Sequence, residues 1–153
     1  MFQMVYSSRE TEAFSSEHLI TLLRWSRTKN ERLGITGMLL HADGEFLQVL
    51  EGDEEPVRAL FARIARDSRH TGAVVVREAF LERRDFPDWS MGFRNLDTAS
   101  QTDLVGVNRF LQSSISARNF VGAPPGAKAL LLAFKARCER ADVRSPASVA
   151  PMA

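Results

Sequence analysis

The chain has 153 residues, of which 44% are hydrophobic and 25% charged, and its formal net charge is +1. This length suits one domain, or a domain of about 100 residues with an appendage, and the near-neutral charge gives no reason to expect nucleic acid or an anionic membrane as a partner. One cysteine, no leader and no apolar run of about 18 residues predict a soluble cytoplasmic protein.

The first predicted elements are a strand and a helix. Apolar and polar residues alternate over residues 2–8, which predicts a strand with Tyr6 on its more apolar face. Ser15 or Ser16 can cap a helix that runs to about Lys29, since leucines follow at helical spacing.

A hairpin follows. Residues 35–41 and 45–51 read as two strands, and Asp43-Gly44 between them is a strong two-residue turn signal. The second strand carries apolar residues on both faces, so both faces of the sheet need a cover.

The next segment predicts one more helix and two more strands. Asp53 starts the helix, which has an apolar stripe and should end near Ser68. Residues 73–82 form a valine-rich strand, and residues 89–94 alternate as a last strand. The order βαββαββ predicts an α+β, ferredoxin-like fold: a five-stranded mixed sheet with two helices on one face.

The remainder of the chain has a different character. Residues 97–143 contain two apolar stripes at helical spacing, and 144–153 reads as a disordered tail. We therefore expect a core domain over residues 1–96 and a C-terminal extension of two helices. This helix pair, or the same pair from a second subunit, should cover the second face of the sheet, which favours a dimer or a larger homo-oligomer.

A polar residue interrupts the apolar face of the third strand. Gln48 points the same way as Phe46 and Leu50. Its amide has an acceptor and two donors, and burying them unpaired costs about 1–3 kcal/mol. Gln48 is therefore either satisfied by protein neighbours or positioned for a polar ligand.

Further polar residues are expected around the same cleft, between the sheet and its two helices. They are Tyr6, Ser26, Asn30, Gln48, Arg63 and Asp67. The apolar residues expected to line it are Ile20, Leu23, Phe46, Leu50 and Ile64. This combination favours a flat ligand with hydrogen-bonding edges.

Five motifs in register resemble the BLUF domain, a family of blue-light sensors that use FAD. They are Val-Tyr-Ser-Ser at 5–8, Asn-x-x-x-x-Ile-Thr-Gly-Met-Leu-Leu at 30–40, Phe-Leu-Gln-Val-Leu-Glu-Gly at 46–52, Arg-x-x-x-Asp-x-Arg-His at 63–70 and Phe-x-x-Trp-x-Met at 86–91. The resemblance covers about residues 1–96.

The resemblance implies a non-covalent flavin between the two helices. Tyr6 would be the light-driven electron and proton donor, and Gln48 would change its hydrogen bonds after excitation. The polar residues assigned to the flavin are Tyr6, Ser26, Lys29, Asn30, Gln48, Arg63 and Asp67, beside the apolar residues already named. Trp89 and Met91 would relay the state of Gln48. The cofactor would be FAD, with FMN or riboflavin left open because the sequence has no dinucleotide-type glycine loop.

These observations favour a short photoreceptor that is not an enzyme and has no metal site. Its signal would leave through the C-terminal helices, a homo-oligomer or a separate protein partner. One alternative is a light-inert flavin- or ligand-binding interaction module. Another is an acylphosphatase-like hydrolase, for which Arg9 is a poor catalytic candidate. Taken singly, Tyr6 and Gln48 also suit ordinary packing, Asn30 suits a helix end, and Arg63 with Asp67 suits an exposed i, i+4 pair.

Overall fold

The computed structural model describes residues 1–13, 15–88, 91–95 and 126–144. In chain order they form β1 (Phe2–Glu10), α1 (Ser16–Arg32), β2 (Thr36–Ala42), β3 (Glu45–Gly52), α2 (Glu54–Ala65), β4 (His70–Phe80), β5 (Gly92–Asn95) and α3 (Ala127–Arg144). The predicted α+β class is confirmed.

The strands form one sheet in the order β4-β1-β3-β2-β5. All neighbouring strands are antiparallel except β2 and β5, which run parallel. The register sets Tyr6 of β1 directly opposite Gln48 of β3, and Leu39 of β2 on the other side of Gln48. Gln48 therefore lies in the middle of the sheet beside Tyr6, as expected because the first and third strands of a ferredoxin-like fold are neighbours.

The hairpin between β2 and β3 is as tight as predicted. Asp43 and Gly44 both have positive φ, at 49° and 72°, which is the backbone of a two-residue type I′ turn. Near the start of β2, a Cβ on Gly37 would lie 1.9 Å from the backbone oxygen of Val49. Only a glycine lets the two strands approach so closely at this point.

The helix bounds differ from prediction at their C-terminal ends. Ser15 does cap α1, since its Oγ accepts a hydrogen bond from the His18 backbone N–H at 3.2 Å, but the helix continues to Arg32 rather than ending at Lys29. The second helix is shorter than predicted. It ends at Ala65, and the Asp67 backbone N–H donates to the Ile64 carbonyl at 3.0 Å, which turns the chain away from the helix axis.

The last two strands also have shifted bounds. β4 begins at His70 instead of residue 73, because β1 extends to Glu10 and pairs with it there. β5 begins at Gly92, so the predicted strand start at residue 89 is not part of the described strand.

Two apolar clusters pack on the opposite faces of the sheet. The cluster against α1 and α2 contains buried Phe2, Met4, Tyr6, Leu19, Leu23, Ile35, Leu39, Phe46, Leu50, Val57, Leu60 and Met91. The cluster against α3 contains buried Val5, Met38, Leu40, Ala42, Leu47, Val49, Phe86, Ala127, Leu131 and Phe134. The second face is thus covered by a C-terminal helix of the same chain, one of the two arrangements expected.

A buried carboxylate fixes the connection between β4 and β5. Glu51, fully buried at the end of β3, accepts hydrogen bonds from the backbone N–H groups of Asp85 and Phe86, each at 3.0 Å. The Gln3 side-chain amide donates to the same carboxylate at 2.8 Å. These bonds replace the hydrogen bonds to water that the carboxylate loses when it is buried. They also fix the chain just before it reaches Met91.

Some predictions fall on residues outside the described ranges. These are the first C-terminal helix, the tail after Arg144 and the side chain of Trp89. In the part of the chain that is described, no helix has the length and apolar character needed to cross a bilayer.

Candidate functional site

A cleft between α1 and α2 opens onto the face of the sheet that these two helices cover. It consists of an outer groove of about 610 Å³ and an inner cavity of about 110 Å³. Both are lined by Leu22, Ser26, Gln48, Ile64, Asp67 and Arg69. The combined space falls in the range of small-molecule and cofactor sites.

Most residues predicted for the site do line this cleft. Tyr6, Phe46 and Met91 line the inner cavity, and Lys29, Asn30 and Arg63 line the outer groove. Leu50 does not line either one: it is fully buried in the core below. Ile20 is also absent from both linings, whereas Leu23 lines the inner cavity.

A chain of side-chain contacts runs across the floor of the inner cavity. The Tyr6 hydroxyl donates a hydrogen bond to Gln48 Oε1. The Gln48 amide in turn donates through Nε2 to the Met91 sulfur at 3.2 Å. All three side chains are buried. A change in the hydrogen bonding of Tyr6 can therefore be passed to Met91, directly before β5, by the Gln48 amide alone.

The Gln48 side chain keeps unused hydrogen-bonding capacity. An amide offers two N–H donors and two acceptor lone pairs, and its contacts among the described residues use one donor and one lone pair. The thioether is only a weak acceptor. Gln48, which lines the cavity, is thus held by protein on two sides, while one of its donors and one of its lone pairs have no partner among the described residues.

Tyr6 is the only tyrosine in the chain, and burial raises the pKa of its phenol above the ordinary value near 10. Above pH about 10 the unfolded chain loses this proton while the folded protein keeps it, so the unfolded state binds fewer protons and the free energy of unfolding falls as pH rises. Denaturant titrations at increasing alkaline pH should show a steeper loss of stability in the wild type than in Tyr6→Phe. Equal slopes would contradict a buried, protonated Tyr6.

Three polar residues of helix α1 line the cleft, and they differ in how exposed they are to solvent. Asn30 is buried, Ser26 is half-buried and Lys29 is exposed at the mouth of the outer groove. The Asn30 backbone carbonyl also accepts the Ile35 N–H at 2.8 Å, so this residue helps to end the helix as well as line the groove. The two interpretations of Asn30 are compatible.

Arg63 and Asp67 both line the cleft, as predicted, but they do not form the i, i+4 pair that was the alternative. Arg63 is exposed, and Asp67 does not pair with it in the i, i+4 manner because the helix ends before Asp67. Instead, the Arg69 side chain and backbone N–H donate to the Asp67 carboxylate, at 2.8 and 3.0 Å. The hydrogen bond from Arg69 lowers the pKa of Asp67 to about 2, so the carboxylate is ionised at neutral pH.

His70 lines the inner cavity, and among the described residues neither ring nitrogen has a hydrogen-bond partner, although both nitrogens are shielded from solvent. Buried polar atoms are rarely left unpaired, because doing so costs about 1–3 kcal/mol. Together with the free donor of Gln48, this ring makes the cavity suited to a ligand that carries its own polar edge. The donors and acceptors present therefore fit a flavin.

Arg69 and His70 are functional candidates to which the sequence argument assigned no role. Both belong to the motif at 63–70, and the change from helix to turn after Ala65 brings them to the cleft. The turn could have been predicted from Asp67-Ser68, two residues that favour turns over helix interiors. Within the described ranges, no cluster of three or more histidine, cysteine, aspartate or glutamate residues could hold a metal ion.

The model of a protein family described as BLUF, sensors of blue-light using FAD, matches residues 1–92. A curated relative, photoactivated adenylate cyclase subunit beta of Euglena gracilis, is 37% identical over 89 residues, which are 58% of this chain and 10% of that protein. The chain thus spans about a tenth of the length of the photoactivated cyclase subunits that it matches.

Two solved structures give the same result. The dark-state structure of BlrB, a BLUF protein, has 35% sequence identity and a TM-score of 0.60, over 62% of this chain and 72% of BlrB. Klebsiella pneumoniae BlrP1 with FMN and cyclic diGMP has 34% identity and a TM-score of 0.58, over 62% of this chain and 26% of that one.

Proposed function

The chain belongs to the BLUF family, the sensors of blue light using FAD, and from this membership we propose that it is a photoreceptor that switches through Gln48. The observation that carries the proposal is the buried chain of contacts from the Tyr6 hydroxyl through the Gln48 amide to the Met91 sulfur, at the floor of a cleft large enough for a flavin ring.

The cofactor supplies the light absorption: an oxidised flavin absorbs blue light and, when excited, accepts an electron. A phenol can donate that electron, whereas phenylalanine cannot. Tyr6 would be the donor: its electron would pass to the excited flavin while its phenolic proton leaves along the hydrogen bond to Gln48 Oε1, and both would return to Tyr6 within the photocycle, so that the flavin ends oxidised and only the Gln48 hydrogen bonds are changed.

Gln48 is the moving part. Its amide has a donor end and an acceptor end, so rotation or tautomerisation reverses what it presents to the cavity and to Met91. A new hydrogen bond to the ring edge stabilises the excited state more than the ground state and shifts absorption to longer wavelength. Because the amide is buried, intermediate arrangements leave polar atoms unpaired, which keeps the two states discrete.

The remaining roles are assigned as follows. Asn30 and Ser26 on the α1 side and Arg63 and Asp67 on the α2 side would supply polar contacts to the flavin, with Lys29 at the mouth. Phe46 and Ile64 would supply apolar contacts. Arg69 and His70, which line the same cleft, join this set. Met91 receives the change at Gln48, and Trp89 is its proposed companion in the relay.

FAD is the proposed cofactor, as the family description states. FMN remains a candidate, since BlrP1 was solved with FMN. In this proposal the chain is not an enzyme, and the signal passes to α3, to a second copy of the chain or to a separate protein partner. A mass in solution equal to the 17.1 kDa monomer would contradict the homo-oligomer.

Absorption spectra of the purified, flavin-loaded protein in darkness, under blue light and during recovery test the function. We expect an oxidised flavin spectrum with a small red shift that forms in light, reverses in darkness and leaves no lasting bleach. A yellow protein that does not respond to light would favour the light-inert binding module, and a protein that takes up no flavin would contradict the whole proposal. Acyl phosphate hydrolysis lost in Arg9→Ala would favour the hydrolase.

A further inference from the structure

Arg27 of α1 reaches across the cleft wall to the chain that enters β5. Its guanidinium Nε donates a hydrogen bond to the Met91 backbone carbonyl at 2.8 Å. The side chain is half-buried, and no carboxylate among the described residues forms an ion pair with it. The bond to Met91 is therefore its one directed contact in the described part of the chain, and it is charge-assisted.

Met91 is held from two sides at once. Its sulfur accepts from the Gln48 amide at 3.2 Å, and its carbonyl oxygen accepts from Arg27. A few residues earlier, Glu51 fixes the backbone at Asp85 and Phe86. Arg27 thus anchors the Met91 main chain at the very residue whose side chain contacts Gln48.

We propose that Arg27 is a positioning residue that latches Met91 against Gln48 and so sets the lifetime of the light state. This inference rests on the proposed switching of Gln48. Where the amide switches by rotation, the forward step breaks the contact of Gln48 Nε2 with the Met91 sulfur and the return step remakes it. When the Met91 main chain is fixed, Met91 cannot move with the amide, so the return of Gln48 to its dark arrangement is slow. Without the hydrogen bond from Arg27, Met91 can move with the amide, and the activation barrier for dark recovery falls.

The rate of dark recovery after a blue-light pulse tests the latch. Arg27→Ala should recover about tenfold faster than the wild type, the change expected from losing one charge-assisted hydrogen bond. Its flavin content and the size of its red shift should stay unchanged, because Arg27 lines neither cavity. Arg27→Lys should restore much of the slow recovery, since an ammonium can donate to the same carbonyl.

Arg24 provides the matched control. It lies on the same helix, is exposed and has no described side-chain partner, so Arg24→Ala should recover within about twofold of the wild type, as expected of a surface substitution. A second control asks whether Arg27 acts through Met91. In a Met91→Leu background, which removes the sulfur acceptor, the further change Arg27→Ala should alter recovery by less than about twofold.

Three results would overturn the latch: recovery of Arg27→Ala at the wild-type rate, recovery of Arg27→Lys as fast as that of Arg27→Ala, or an undiminished effect of Arg27→Ala in the Met91→Leu background. These outcomes differ from a failure of the proposed function. If the proposed function fails, the wild type itself shows no reversible red shift, and the proposal for Arg27 is then wrong as well.

Discussion

Replacing Tyr6 with phenylalanine is expected to abolish the light-induced red shift while the protein still binds flavin. The substitution removes the phenolic oxygen, which is both the electron donor and the hydrogen-bond donor to Gln48 Oε1. It keeps the aromatic ring, which packs against Phe61 at a centroid distance of 5.1 Å. Flavin content should therefore remain close to wild type, and the difference spectrum between light and darkness should vanish.

Trp25 supplies the control for this experiment, because an indole can also donate an electron to an excited flavin and Trp25 lines the outer groove. Its side chain is 75% exposed. The contact chain at the cavity floor does not include it, so Trp25→Phe should switch like the wild type. A normal red shift in Tyr6→Phe, or its loss in Trp25→Phe, would show that the donor is assigned to the wrong residue.

The second large effect is on folding. Gly37→Ala should destabilise the protein by at least about 3 kcal/mol, since the new Cβ would meet the Val49 backbone oxygen, a group that cannot move without breaking the sheet. The strands would have to separate where Gly37 pairs with Leu50, two residue pairs from Leu39 and Gln48. Denaturant titration, with flavin content measured alongside, checks this expectation.

Gly72→Ala is the matched comparison. Gly72, unlike Gly37, has a positive φ, at 63°, and no atom lies within 4 Å of the position where its Cβ would be. Its cost should be limited to the left-handed backbone conformation, about 1–2 kcal/mol. If Gly37→Ala proves no more harmful than Gly72→Ala, close approach of β2 and β3 is not the reason for a glycine at this position.

The sequence predicted the parts of the fold that depend on local pattern. Alternation indicated the strands, Asp43-Gly44 indicated the turn, and the known neighbour relation of the first and third strands brought Tyr6 to Gln48. Apolar residues on both faces of β3 correctly implied a second cover, which α3 provides.

The features that sequence reasoning missed depend on contacts between distant residues. His70 belongs to β4 only because β1 extends far enough to pair with it. Glu51 was assigned no role from the sequence, whereas it is a buried hydrogen-bond acceptor for the chain before Met91. No periodicity could indicate that Arg27 bonds to Met91, 64 residues away. Likewise, helix spacing suggested a pair between Arg63 and Asp67, but the helix ended two residues too early.

The central claim is that light changes the hydrogen bonds of Gln48 without lasting chemistry on the cofactor, and a light-minus-dark infrared spectrum tests it most directly. We expect illumination to move a flavin ring carbonyl stretch to lower frequency, as an added hydrogen bond from the Gln48 amide would require, with full reversal in darkness. Gln48→Leu should bind flavin and lack this change. A carbonyl stretch that does not move in the wild type, or that moves equally in Gln48→Leu, would contradict the account.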